Sequence, residues 1–286
     1  MSDHMDPDVA AAIAGTGLAV RRVRELSTIR SPGIGRAVYR LDLASGSTIK
    51  VRSLENDDTA RRLFDLQQRL PCGFLRAFRR QGRVLFEEWI EGEVLGHRVP
   101  DGTHLVDGAA LLAALHTTPV DGARPSARED TAPWRENAER GLSALLADGC
   151  LEMPHVLRLR DILERFDPHQ TCVGLIHVDF CGENMAIDES GHLQVFDNDR
   201  LRVGSLAFDV ARAWYRWGLP TMAWDRFQNA YAQRMPSTEP LEAPQFWRIA
   251  AVVMSASFRL RVAPASARVP VERLTELAAI EQTGIE

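Results

Sequence analysis

Lysine is almost missing from this chain of 286 residues: of its 34 basic side chains 33 are arginine, and Lys50 stands alone. Any reaction that needs a lysine must use that one. A P-loop is excluded, because its lysine directly follows glycine whereas Lys50 follows Ile49. Cysteine is scarce too. Cys72, Cys150, Cys172 and Cys181 form no C-x-x-C pair, which argues against a zinc site or a disulfide framework and for a reducing compartment. No run approaches the roughly 20 apolar residues that span a bilayer, and Met1 to Asp8 is acidic where a secretory signal is basic. A basic cluster is absent as well. With 39 acidic against 34 basic residues the formal charge is -5, so the chain lacks the phosphate-neutralising face of a nucleic-acid binder. These absences predict a cytoplasmic protein with neither a membrane nor a nucleic-acid partner.

What is present is the composition of a globular protein, 45% apolar and 26% charged, able to bury a core. The first hundred residues read as strand-rich. Leu18 to Leu26 is strand-like, and a turn-forming stretch holding Gly33 and Gly35 follows. Alternation through Tyr39, Leu41 and Leu43 then predicts a half-buried strand that turns at Ser45-Gly46 into Thr48 to Arg52. Thr48, Lys50 and Arg52 share one face of that strand. Asp57 or Asp58 is the expected cap of a helix carrying Leu63, Leu66 and Leu70, and Val84 to Ile90 reads as a further strand leading to a change of direction at Gly92. Beyond it the spacing becomes helical, except for a compact insert from about Val173 to Leu206. The fold class expected is α+β with two lobes: a small antiparallel-sheet lobe over 1–90 and a larger, mostly helical lobe over 91–286.

The insert carries the chemistry. His177-Val178-Asp179 is followed after four residues by Asn184, then by two apolar segments joined at Glu189-Ser190-Gly191 and ending on Asp197. A hairpin brings its ends together, so Asn184 and Asp197 are expected side by side with Asp179 on the feeding loop. Phosphoryl transfer needs such an inventory, because its catalysis rests on positioning and on neutralising phosphoryl charge. An Asp carboxylate and an Asn carbonyl suit Mg²⁺, and a further carboxylate can accept the proton of an attacking hydroxyl.

The order His177-x-Asp179, Asn184, hairpin, Asp197 resembles the catalytic segment of the aminoglycoside phosphotransferase and choline kinase-like family, which has a protein-kinase-like fold. Ala207 to Arg212, the Leu115-His116 pair and the strand from Phe86 to Gly92 extend the resemblance, which covers roughly Gly33 to Arg212. It implies ATP, with GTP left open, and Mg²⁺ as cofactors, and a small-molecule hydroxyl as acceptor. By the resemblance Asp179 is the catalytic base and Asn184 and Asp197 are metal ligands. Lys50 or its neighbour Arg52, with the Gly33 and Gly35 turn, holds the phosphates, and Glu88, Trp89 and Ile90 form the hinge that meets the base. His177 is expected to be a buried residue that holds the loop, and Asp209 to act structurally at a helix N-terminus. Asp199 is open between metal ligand, substrate contact and solvated turn. Two departures stand out. Val178 occupies a usual glycine position, and the helix after Asp57 offers only Glu55, Asp58 or Asp65 as poor partners for the lysine.

Val195-Phe196-Asp197-Asn198-Asp199 also resembles the start of haloacid-dehalogenase-type phosphatases, which need a later lysine that does not exist here. A protein kinase is disfavoured because no D-F-G or A-P-E occurs. The expected function is therefore ATP-dependent phosphorylation of a hydroxyl on an antibiotic, sugar, amino alcohol or related metabolite; the alternative is a degenerate kinase fold that binds nucleotide or metabolite without transfer. Residues 201–286 hold ten Arg against eight acidic residues. That balance suits a polycation poorly, so aminoglycosides are expected to be weak acceptors. The helical spacing of Trp214, Trp217, Trp224 and Trp247 predicts core packing over an acceptor pocket.

Overall fold

The computed structural model describes residues 5–26, 37–121 and 127–280. Gly33 and Gly35 lie outside the described residues. In chain order the elements are α1 (Pro7–Thr16), β1 (Val20–Glu25), β2 (Val38–Leu43), β3 (Thr48–Ser53), α2 (Asp57–Gln67), β4 (Ala77–Gln81), β5 (Val84–Glu88) and β6 (Gly92–Val94). Then come α3 (Gly102–His116), β7 (Arg128–Asp130), α4 (Ala132–Ala147), α5 (Met153–Arg165) and β8 (Gln170–Ile176). The insert gives β9 (Met185–Asp188), β10 (Leu193–Val195) and β11 (Arg202–Ser205), followed by α6 (Leu206–Trp217), α7 (Thr221–Ala232), α8 (Pro244–Val262) and α9 (Arg268–Ile280). The chain divides into two compact units, Met1–Gly96 with Gly182–Arg202, and His97–Cys181 with Val203–Glu286. Among the described residues no helix is long and apolar enough to cross a membrane.

In the first unit the five-stranded antiparallel sheet runs β1-β2-β3-β5-β4. Alternation sorts its faces. Tyr39, Leu41, Ile49, Val51, Val84 and Phe86 form one apolar layer, which α1 covers with Val9, Ala12 and Ile13. The helix is fastened by its own cap. Asp6 accepts from the backbone of Asp8 and Val9, and its carboxylate also takes hydrogen bonds from Ser53 Oγ at 3.0 Å and Arg83 Nη2 at 2.9 Å. The cap of α2 corrects the sequence reading. Asn56, not Asp57 or Asp58, accepts from Thr59 N at 2.8 Å, while both aspartates sit inside the first turn, where their charge favours the helix N-terminus.

A second sheet of the same unit, β10-β9-β6, closes the hairpin onto the segment after β5. Gly92 pairs with Asp188, and its part differs from the turn expected of it. Its φ is not left-handed; a Cβ there would run into the Ile187 carbonyl oxygen, so glycine is required by close backbone approach. Gly92→Ala is expected to cost about 1–3 kcal/mol by forcing β6 off β9, read as a lower urea midpoint at unchanged m-value.

The second unit packs α4, α5, α6, α8 and α9 around Leu142, Leu145, Leu159, Phe208, Phe246 and Trp247. Trp217, Trp224 and Trp247 are buried in the core. Trp214 is the exception among the four, lying partly exposed under the guanidiniums of Arg248 and Arg273, each 4.5 Å from the ring centroid. A small sheet, β11-β8-β7, brings β8 to the loop carrying His177 and Asp179.

Candidate active site

The first unit gathers five charged side chains on the sheet face opposite α1. Because β3 alternates, Lys50 and Arg52 leave the same face, while Ile49 and Val51 enter the apolar layer. The antiparallel register sets Glu87 of β5 directly opposite Lys50 and diagonal to Arg52. Asp197 follows β10, whose Val195 pairs with Met185; Phe196 N donates to Asn184 O at 2.9 Å, so Asn184 and Asp197 stand at the two ends of one hairpin.

Both cations converge on one oxygen. Lys50 Nζ donates to Asp197 Oδ1 at 2.8 Å and Arg52 Nη2 donates to the same atom at 2.7 Å. Arg52 Nε also donates to Glu87 Oε2 at 2.8 Å, and its Nη1 lies 3.4 Å from Asp199 Oδ2. Lys50 Nζ is 3.7 Å from Glu87 Oε2. Asp197 sits at φ 60, a left-handed conformation that Asp tolerates better than most residues. Burial would raise its carboxyl, but Arg52 and Lys50 together hold it well below the usual carboxylate range. Burial would likewise lower the Arg52 guanidinium, and Glu87, Asp197 and Asp199 outweigh that and raise it. Arg52 is thus a buried cation spoken for by three carboxylates, with its side chain 3% exposed against 15% for Lys50.

Glu87 is one residue that sequence reasoning missed. The partner sought for the β3 cation among Glu55, Asp58 and Asp65 comes instead from β5. Helix α2 contributes only Gln67, whose Nε2 donates to Glu87 Oε1 at 3.1 Å while its Oε1 accepts from Ala77 N at 2.6 Å. A buried glutamate after Val84-Leu85-Phe86 was the available signal. Asp199 turns toward Arg52, an ion pair that none of its three sequence readings named.

These groups line a cavity of about 530 Å³ within the first unit. Glu88, Trp89 and Ile90 line it as well, beside the apolar Val38, Leu75 and Phe196. Size and mixed lining match a small-molecule or cofactor site.

The loop of the second unit is organised by α6. Asp209, fully buried, accepts from His177 N at 2.8 Å and Val178 N at 2.6 Å, and its Oδ2 is 3.1 Å from His116 Nε2. His116 Nδ1 is 2.7 Å from the Tyr231 hydroxyl. A carboxylate only accepts, so Nε2 carries the proton toward Asp209. Burial would raise the Asp209 carboxyl, yet the hydrogen bond and charge of His116, with His177, lower it. Val178 is held at φ 70, where glycine would be free and a β-branched residue is strained; Arg212 Nε secures it by donating to Val178 O at 3.0 Å. His177 is buried, and its Nδ1 accepts from Asp179 N at 3.3 Å. Asp179 Oδ1 takes a hydrogen bond from Arg216 Nε at 2.7 Å, with Arg212 Nη2 at 3.4 Å. Arg216, one turn beyond Arg212 on α6, carried no sequence signal.

A family model described as the phosphotransferase enzyme family matches residues 54–243, more than half of the chain. No functionally curated protein matches. Among solved structures, choline kinase from Streptococcus pneumoniae is similar with a TM-score of 0.69 at 14% identity, covering 95% of this chain and 98% of its own. A macrolide 2'-phosphotransferase from Brachybacterium faecium gives 0.61 at 15% identity, over 96% and 99%. An ADP-bound aminoglycoside phosphotransferase gives 0.62 at 13% identity, over 96% and 98%. At these identities the likeness establishes the fold, which is the kinase-like α+β fold expected.

Proposed function

The chain belongs to the phosphotransferase enzyme family, and from that premise we propose that it transfers the γ-phosphoryl group of ATP to a hydroxyl of a small molecule, an antibiotic, sugar, amino alcohol or related metabolite. The observation that carries this reading is the single cavity in which Lys50, Arg52 and Asp197 share walls with the strand-end segment Glu88 to Ile90. Backbone groups of that segment would meet the nucleotide base. At the charged wall, Lys50 is the phosphate contact: Arg52 has its donors engaged by Glu87, Asp197 and Asp199, whereas the ammonium of Lys50 can turn from Asp197 to an incoming phosphate oxygen.

The donor set also fits Mg²⁺. Asp197 is kept ionised, its side chain is 42% exposed, and its Oδ2 accepts no hydrogen bond among the described residues. Mg²⁺ takes one or two protein oxygens together with phosphate oxygens and water, so Asp197 and Asn184 would hold it, and it would neutralise charge on the phosphates. In the transfer itself the acceptor oxygen bonds to the γ-phosphorus as the bond to the β-bridging oxygen breaks. Asp179 takes the hydroxyl proton and ADP leaves.

Nucleotide binding tests the reading before any acceptor is known. MgATP at millimolar concentration is expected to raise the Tm of the purified protein, and Asp197→Ala is expected to abolish the metal-dependent part of that rise. Absence of a shift with ATP or GTP, with or without Mg²⁺, would remove the nucleotide site.

A further inference from the structure

Two cations on one carboxylate oxygen create a difficulty for a metal ligand, because a divalent cation must compete with both of them for Asp197. The structure contains a counterweight. Glu87 faces the same pair from β5, bonded to Arg52 Nε at 2.8 Å and 3.7 Å from Lys50 Nζ. It is buried, and its second oxygen is held by Gln67 Nε2. Gln67 is itself fixed by Ala77 N and reaches Asn198 O at 3.5 Å, one residue from Asp197. Helix α2 thus places no charge in the network; it aims a carboxylate that another element supplies.

We propose that Glu87 keeps Asp197 open to a divalent cation by drawing Arg52 and Lys50 toward itself, and that Gln67 holds Glu87 where it can do so. Glu87 and Gln67 are positioning residues, acting through the cations of β3. The inference rests on the reading of Asp197 as a metal ligand. Its sign follows from electrostatics. With Glu87 neutral, the carboxylates left to the pair among the described residues are Asp197, which both cations bond, and Asp199 beside Arg52, so the two settle more firmly on Asp197 and Mg²⁺ is displaced. The same change makes the cavity one charge more positive, so a nucleotide without metal loses no attraction.

The experiment compares wild type, Glu87→Gln and the double variant Glu87→Gln/Gln67→Glu, which returns the negative charge to the network from α2. ADP affinity is measured by calorimetry without metal and across a Mg²⁺ titration. Glu87→Gln is expected to bind metal-free ADP as tightly as wild type or more tightly, while the Mg²⁺ midpoint rises roughly fivefold or more, in the range of ordinary site-to-site coupling. The double variant is expected to regain most of the wild-type midpoint. An unchanged midpoint in Glu87→Gln, or equal weakening of ADP with and without Mg²⁺, overturns the proposal, as does a double variant no better than the single. Should Glu87→Gln fail to fold, Gln67→Ala keeps every charge and removes only the brace; it is expected to raise the midpoint in the same direction, and an unchanged midpoint there is equally fatal. Wild-type protein that binds ADP but gains nothing from Mg²⁺ refutes the metal reading itself, a result separable from failure of the variants.

Discussion

Asp179→Asn is expected to lower kcat roughly 10²- to 10⁴-fold, the usual contribution of a positioned general base. Nucleotide affinity should stay unchanged. The substitution is selective because the asparagine Oδ1 can still accept from Arg216 Nε, as Asp179 Oδ1 does at 2.7 Å, so the loop keeps its anchor while losing a proton acceptor. The assay is ATP consumption with an acceptor found by screening hydroxyl compounds. Turnover that survives in Asp179→Asn would deny Asp179 the role of base. A wild-type protein that binds MgATP and phosphorylates nothing across a broad acceptor library would favour the non-transferring reading, for which the arginine on Asp179 and the strained Val178 are the structural motives.

The second large effect concerns Asp209. Four groups depend on it: the backbone N–H of His177 and of Val178, the His116 ring and, through that ring, the Tyr231 hydroxyl. Removing one partner of a buried charged network leaves the others unsatisfied, and Asp209→Ala is expected to destabilise the protein by about 3–5 kcal/mol in urea denaturation. The pH dependence has a definite sign. Burial alone would raise this carboxyl, but His116 and His177 hold it below the usual range. Its stabilisation is therefore full above about pH 4, where the same group in the unfolded chain is ionised, and drains away as pH falls toward the depressed native value. Asp209→Asn should be less stable than wild type at neutral pH and lose less stability on acidification below pH 4. Parallel curves for the two proteins would assign the acid sensitivity elsewhere.

Features set by local pattern were legible before the fold was known. The hairpin from Met185 to Val195 follows from two apolar segments around a glycine turn, and the shared face of Lys50 and Arg52 follows from strand periodicity alone. The misreadings mark where local pattern stops. Asn56, Asp57 and Asp58 are three good caps in a row, and only the extended backbone at Asn56 decides among them. Gly92 looked like a turn because glycine advertises freedom, whereas the constraint lies in how near β9 runs. Glu87 lies 35 residues from Arg52, and the register that aligns β3 with β5 is a property of neither strand. Arg216 reaches Asp179 across 37 residues. Pairings of this kind are fixed by the assembled sheet and helix, so a search confined to α2 could not find the carboxylate that holds the β3 cations.

The scarcity of lysine gives the Lys50 ammonium a practical meaning. Apart from the α-amino terminus it is the chain's only alkyl amine, and it points into the cavity beside Asp197. Reductive methylation with ¹³C-formaldehyde would thus place a single side-chain NMR signal at the wall where phosphates are proposed to bind, with no assignment problem from other lysines. That one resonance would report on nucleotide, metal and the state of its carboxylate neighbours in the intact protein.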